Sequence, residues 1–346
     1  RDLVRSRGLG DVYKRQTGAY NTSVGSGALT ANTTADNNTA VGYLAMTANT
    51  TGTQNTAVGS LAGDALTTGG CNTVVGLGAL SADQTGMNNV AIGHKAMALA
   101  SGSILNVGVG QSTLYNVTTG KGNVALGAWA MYSNTTGNSN VAVGAWDYDN
   151  AYSALRHNTT GSANVAIGGG ALSTNTTGNS NVGIGNSALR SNTTANNNTA
   201  VGYRAMAANT TGASNSAFGY TSLRDNTTAS NNTAFGAVSL QSNSTGASNT
   251  AVGQGALNSN TTADNNTALG ASALAAITTG ERNTAIGMQA MGNTATDVTN
   301  SVAVGVNALY ATTGSSNTAV GDAALYTNTS GADNTGMGRN ALFLNT

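Results

Sequence analysis

Asn38-Thr39-Ala40-Val41-Gly42 decides the fold, because close copies of this motif recur along the chain as far as Asn317-Thr318-Ala319-Val320-Gly321. The closing glycines are Gly25, Gly42, Gly59, Gly76, Gly93, Gly110, Gly127 and Gly144, then Gly168, Gly185, Gly202, Gly219, Gly236, Gly253, Gly270, Gly287, Gly305, Gly321 and Gly338, nineteen copies in all. Their step is seventeen residues except from Gly144 to Gly168 (twenty-four), Gly287 to Gly305 (eighteen) and Gly305 to Gly321 (sixteen). A fixed period sets the architecture before local propensity does. Stacked units predict one repeat domain, not the two or three globular domains that 346 residues would otherwise suggest.

From one motif glycine to the next, the chain reads two variable residues, Ala, Leu or Met, two more variable residues, Asn-Thr-Thr-Gly, two variable residues and the motif again. Thr-Ala-Val is short, β-branched and bounded by Asn and Gly, which predicts a strand of about four residues. Asn-Thr-Thr-Gly, as at Asn49 to Gly52 and Asn209 to Gly212, has the residue preferences of a type I turn. Only about six residues separate the turns around the Ala-Leu segment, too few for a stable helix, so a second short strand or a single helical turn is expected there. Two short segments and two turns per repeat make one coil of an all-β, parallel β-solenoid of about nineteen 17-residue coils.

In such a stack, equivalent residues lie about 4.8 Å apart and each repeat position becomes a ladder. Asn38, Asn89, Asn164 and Asn249 open the motif and predict a column of side-chain amides, while Gly42, Gly93, Gly168 and Gly253 close it. Leu80, Met97, Leu172 and Leu257, together with Val58, Ile92, Val143, Ile167, Val252 and Ile286, are the expected core, and Gly63 stands where a Leu is expected. That core is thin. Alternation along the strand places Thr and Val on one side and Asn and Ala on the other, yet both sides are held constant. The pattern predicts a strand buried on both faces, one inside the coil and one against another subunit.

Charged residues make up 8% of the chain, aromatics 5%, proline is absent and there are 47 glycines, a composition that would ordinarily indicate disorder. The seventeen-residue clock on Val, Leu and Gly excludes that reading. With Cys71 the single cysteine, no intramolecular disulfide can form. No apolar run approaches the ~18 residues of a membrane span, so no membrane contact is expected in this segment. Residues 1–16 match nothing downstream, hold five of the thirteen basic residues and resemble translated adapter sequence; they read as a non-native leader. The repeat domain is then 17–346, with an insertion at 145–157 and truncation expected at both ends. Without the leader, eight basic residues face eleven acidic ones, and nucleic acid is not an expected partner.

Asn164-Val165-Ala166-Ile167-Gly168, Asn89-Val90-Ala91-Ile92-Gly93 and Asn140-Val141-Ala142-Val143-Gly144 resemble the Ser/Asn-Val-Ala-Ile-Gly motif of the head repeats of trimeric autotransporter adhesins, the YadA-like left-handed parallel β-roll. Similar arrays occur in phage tail-fibre-like proteins. The family's coil has fourteen residues, and this one looks like that coil with three added at the Asn-Thr-Thr turn. The resemblance runs from Asn21 to the C-terminus. It implies a left-handed homotrimer and a structural, adhesive surface rod that attaches to a host-surface protein or glycan, to matrix or to other surfaces. It also implies an extracellular location, on a bacterial cell anchored in the outer membrane by the full-length protein, or on a virion. A receptor-binding tail-fibre shaft is the alternative.

The one true break in the clock carries Trp146, Asp147, Tyr148, Asp149 and Tyr152. Trp129 holds the repeat position of Trp146 one coil earlier, which predicts neighbouring indoles with Tyr115 and Tyr132 stacked nearby. Aromatic faces beside carboxylates suit sugars, and long loops on a rigid scaffold are common binding sites. These six residues, Trp129 included, are the ligand-binding candidates. Asp147, Asp149 and Asn150 offer oxygens to calcium but too few for a full site. His94 and His157 are out of phase, Glu281 is the single glutamate, and no carboxylate pair, Cys-His pair or phosphate loop is present. No enzyme activity, metal or cofactor is expected. The Asn-Thr-Thr sequences match the N-glycosylation pattern but read as turn chemistry. An ice-binding surface is a weaker alternative, from Thr22, Thr39, Thr56 and Thr73 and again Thr233, Thr250, Thr267 and Thr284, although Val replaces Thr from Val90 to Val182. A β-helical carbohydrate-active enzyme would cluster acids on one face, whereas Asp36, Asp264 and Asp333 are scattered.

Overall fold

A computed structural model describes residues 17–145 and 152–345 and shows a parallel β-solenoid of about nineteen turns, with no helix among the described residues. The chain divides into two compact units, one ending at Gly178 and the other beginning at Asn179. Nine three-residue strands, from Thr22–Val24 to Val165–Ile167, build the first unit, and ten, from Val182–Ile184 to Thr335–Met337, build the second. Each comes from one copy of the motif. Pairing is parallel and in strict register, Thr39 opposite Thr56 and Ala40 opposite Ala57 in the first unit, Thr250 opposite Thr267 and Ala251 opposite Ala268 in the second.

The expected column of asparagines runs down the interior. Asn55 shows its chemistry. Its backbone N–H and its side-chain Nδ2 both donate to Asn38 Oδ1, at 3.0 and 3.2 Å, and Nδ2 also donates to the carbonyl of Gly69 at 2.9 Å. Its Oδ1 accepts in turn from the backbone N–H and Nδ2 of Asn72, both at 3.0 Å. Both donors and both lone pairs of the amide are used, so a fully buried polar group carries no desolvation deficit. In one copy Ser301 takes the place of Asn, and its hydroxyl accepts the Asn317 N–H at 3.2 Å, which carries the column across the irregular coil.

The strand's outward residues depart from the expected core. Val58, Ile167 and Ile286 are 38–39% exposed, and Ile92, Val143 and Val252 are half-buried. A three-residue strand sends only its middle side chain inward, and that side chain is Ala40, Ala91, Ala166 or Ala251, fully buried. Opposite it lie the Leu or Met side chains such as Leu80, Met97 and Leu257, also fully buried. The interior between them is closely filled: a Cβ built on Gly108, at the strand's middle position, would lie 3.1 Å from Thr113 Oγ1 and 3.4 Å from Met97 Cγ, and the largest residue at that position among the described motif strands, Val74, is fully buried. Gly63 keeps the packing by exchange, because Leu66 replaces the next turn's Asn and its Cδ1 would sit 2.9 Å from a Cβ at position 63.

The Ala-Leu segment forms neither a second strand nor a helical turn in most coils. It is a left-handed corner in which the core Leu itself has positive φ, 49° at Leu172 and 50° at Leu257. The residue two before it does the same, Lys95 at 55° and Gly255 at 67°. This conformation costs an ordinary residue roughly 1–2 kcal/mol. It is held because the amide it presents is used between coils, as where Leu257 N–H donates to the Ala273 carbonyl at 3.0 Å, while the side chain is buried. Among the described residues only the last three coils add a short second sheet, Ala311–Thr312, Thr327–Asn328 and Leu344–Asn345.

Two glycines of one coil separate close approach from mere conformation. Gly253 has φ 134°, and a Cβ there would lie 2.5 Å from the Gly270 carbonyl oxygen of the next coil. At Gly255 a Cβ would meet nothing nearer than Ser272 Oγ at 3.6 Å. Gly253→Ala is therefore expected to lower stability by more than ~2 kcal/mol in denaturant unfolding, and Gly255→Ala by about 1 kcal/mol. Equal losses would show that the closing glycine is not set by the neighbouring coil.

Candidate functional site

With the asparagine and glycine columns committed to structure, chemical variety is left to the variable positions of the repeat, among them the first, second and fifth after each motif glycine, on the outside of the corner. Trp129 is at a second position; Tyr115 and Tyr132 are at fifth positions of adjacent coils, all in the first unit. The tyrosine rings stack in parallel, centroids 5.0 Å apart and planes 11° apart, as the coil spacing dictates for identical positions. Trp129 leans on Tyr132 at 5.0 Å with a 37° tilt. The sequence-predicted grouping of Trp129 with these two tyrosines is present.

Tyr152 is half-buried at the edge of the insertion. The other four candidates, Trp146, Asp147, Tyr148 and Asp149, lie outside the described residues, as does the calcium reading that rested on them. Beyond the insertion the chain rejoins the coil at once. Ser153 Oγ donates to the Trp129 carbonyl at 2.7 Å, and Ala154 and Leu155 fill the buried Ala-Leu positions.

Sequence reasoning missed Arg156. Its guanidinium carbon lies 5.0 Å from the Trp129 ring centroid and 5.7 Å from that of Tyr132, so a cation roofs two aromatic faces. The signal was in the numbering: subtract the seven inserted residues, and Arg156 falls at the fifth position, in column with Tyr115 and Tyr132. Next to it, His157 has a pKa below the ordinary histidine value, first because burial disfavours its charged form and second because the Arg156 charge repels an imidazolium.

Among the described residues no group of three or more His, Cys, Asp or Glu side chains could hold a metal. Cys71 is exposed, with Sγ 3.1 Å from Gln54 Oε1. The glycosylation-like asparagines are turn elements: Asn49, Asn134 and Asn175 are fully buried, and each Nδ2 donates to the carbonyl of the glycine three residues on, at 3.0 to 3.1 Å. What the cluster offers is a half-buried aromatic and cationic surface.

No family model and no curated protein matches this chain. Replacing Arg156 with Gln removes the second cause acting on His157. The NMR titration midpoint of His157 is expected to rise toward the ordinary histidine value in Arg156→Gln; an unchanged midpoint would show that the guanidinium does not act on the imidazole.

Proposed function

We propose that this chain is an adhesive surface solenoid, the head region of an extracellular homotrimer that attaches to host cells, matrix or other surfaces. The observation that carries the reading is the outer strand face. On coil after coil it presents a Thr or Val and, two residues on, a Val, Ile, Leu or Phe, half-exposed and in register. In the second unit Phe218 and Phe235 stack there with centroids 4.4 Å apart, and Leu269 is 48% exposed. A repeating apolar face of this kind is unusual on a monomer and suits association with other copies.

Catalysis contributes nothing to this reading, and adhesion needs none. Most coils bury alanines, asparagines and one Leu or Met, with an extra Leu66, Val74, Val117, Ile277 or Val298 in a few, so a second burial surface adds stability where the interior is thin. The threonine columns belong to the same face; the change to Val from Val90 to Val182 interrupts hydroxyls but preserves an apolar contact surface, which favours subunit packing over ordered water.

Light scattering after size exclusion tests the reading on the full chain. A mass three times that of the chain is expected, with Leu269→Lys and Ile286→Lys together reducing it to a monomer that retains its β-sheet circular dichroism. A stable monomer for the unaltered chain would overturn the trimer.

A further inference from the structure

The aromatic column ends at Tyr115, because the fifth position of the preceding coil is Ala98. Tyr132 covers one face of the Tyr115 ring. On the side of Ala98 a groove of about 430 Å³ opens within the first unit. Tyr115 forms one wall, Leu77 and Leu99, each almost half exposed, form apolar sides, and Asp64, Ser81 and Lys95 supply the polar groups. Its size lies in the range of small-ligand sites.

Asp64 is the group without an internal explanation. Its Oδ1 is buried and has no hydrogen-bond partner. Burial pushes its carboxyl above the ordinary value, against the smaller opposing pull of the Asp64 and Ala65 backbone amides. Neither Asp64 nor Lys95 takes part in an ion pair among the described residues. One acid and one base in a single groove leave it without net charge, so it selects no ion. A sugar hydroxyl both donates and accepts, and it suits a carboxylate and an ammonium together. The C–H face of a pyranose ring suits an uncovered aromatic face flanked by leucines.

We propose that this groove, which runs over three coil steps from Tyr115 through Ala98 and Ser81 to Asp64, binds a short neutral glycan, the C–H face of one pyranose against Tyr115 and the hydroxyls of the next ring, beside Ser81, shared between the Asp64 carboxylate and the Lys95 ammonium. The site is separate from the Trp146 insertion. It rests on the adhesive reading in giving that reading a receptor class.

The test is binding of the full chain to immobilised oligosaccharides, one set built of neutral hexoses and one rich in uronate or sialate, followed by titration of the best hit. Neutral glycans are expected to bind. Tyr115→Ala and Asp64→Asn should each weaken the hit at least tenfold, Asp64→Asn with no loss of thermal stability because it removes a desolvated charge. Tyr326→Ala, in the stack of Tyr310, Tyr326 and Phe343 in the second unit, should leave binding unchanged. Failure of every neutral glycan, binding of acidic glycans alone, or full retention of binding in Asp64→Asn would each overturn the proposal. A trimer that binds no neutral glycan removes this inference and leaves the trimer; a monomer whose glycan binding falls in both variants removes the trimer and leaves the groove.

Discussion

Within each of the two units the fold depends on a buried hydrogen-bonded column, the side-chain amides of the motif asparagines. An amide in a protein interior is costly unless its two donors and two lone pairs are all engaged, and a solitary coil could not engage them. Stacking at one fixed register does: Asn38, Asn55 and Asn72 each accept from the coil that follows and donate across to the glycine that closes the Asn-Thr-Thr-Gly turn or its variant, Gly52, Gly69 and Gly86. The same bonds that satisfy the side chain therefore set coil spacing, strand register and the position of the turn. A slip by one residue would place Thr inside and Asn outside along the whole ladder, which is why the register holds over so short a strand.

The remaining constraints follow from that spacing. Coils held a strand's width apart bring backbone against backbone at the motif glycine, and a side chain at Gly93 would lie 2.5 Å from the Gly110 carbonyl oxygen. The interior left between the inward strand ladder, alanine in most coils with Gly108 and Val74 as variants, and the leucine ladder takes only one residue per strand, so the residues on either side of it, β-branched and aromatic, end up outside. An outside of that composition is the physical basis of the self-association proposed for this chain.

The repeat, strand, turn and asparagine column were all legible in the sequence, because periodicity and turn chemistry are local signals. Leucine at positive φ was not, since propensity assigns Leu172 or Leu257 to regular structure and nothing local predicts a left-handed corner. Its only trace was glycine at the second position in some coils, Gly27, Gly78, Gly170 and Gly255. The inward and outward faces of Val58 and Ile167 were misassigned for a related reason: alternation says which residues share a face, not which face is inside. At the candidate site, the positions of Tyr115, Trp129 and Tyr132 followed from repeat phase alone, whereas Arg156 was hidden by the insertion's offset, and the Asp64 groove by its dependence on what neighbouring coils leave empty.

Amide hydrogen exchange, resolved by residue, examines the asparagine column most directly. The backbone N–H groups of Asn55, Asn72, Asn249 and Asn266 donate to the Oδ1 of the preceding motif asparagine, at 2.9 to 3.0 Å. If this column holds the coils together, these amides exchange only with global opening and are among the slowest in the chain, slower than those of exposed turn residues such as Tyr43 or Met288, whose N–H groups bond to no carbonyl among the described residues. Exchange at the motif asparagines as fast as at those turns would contradict the account.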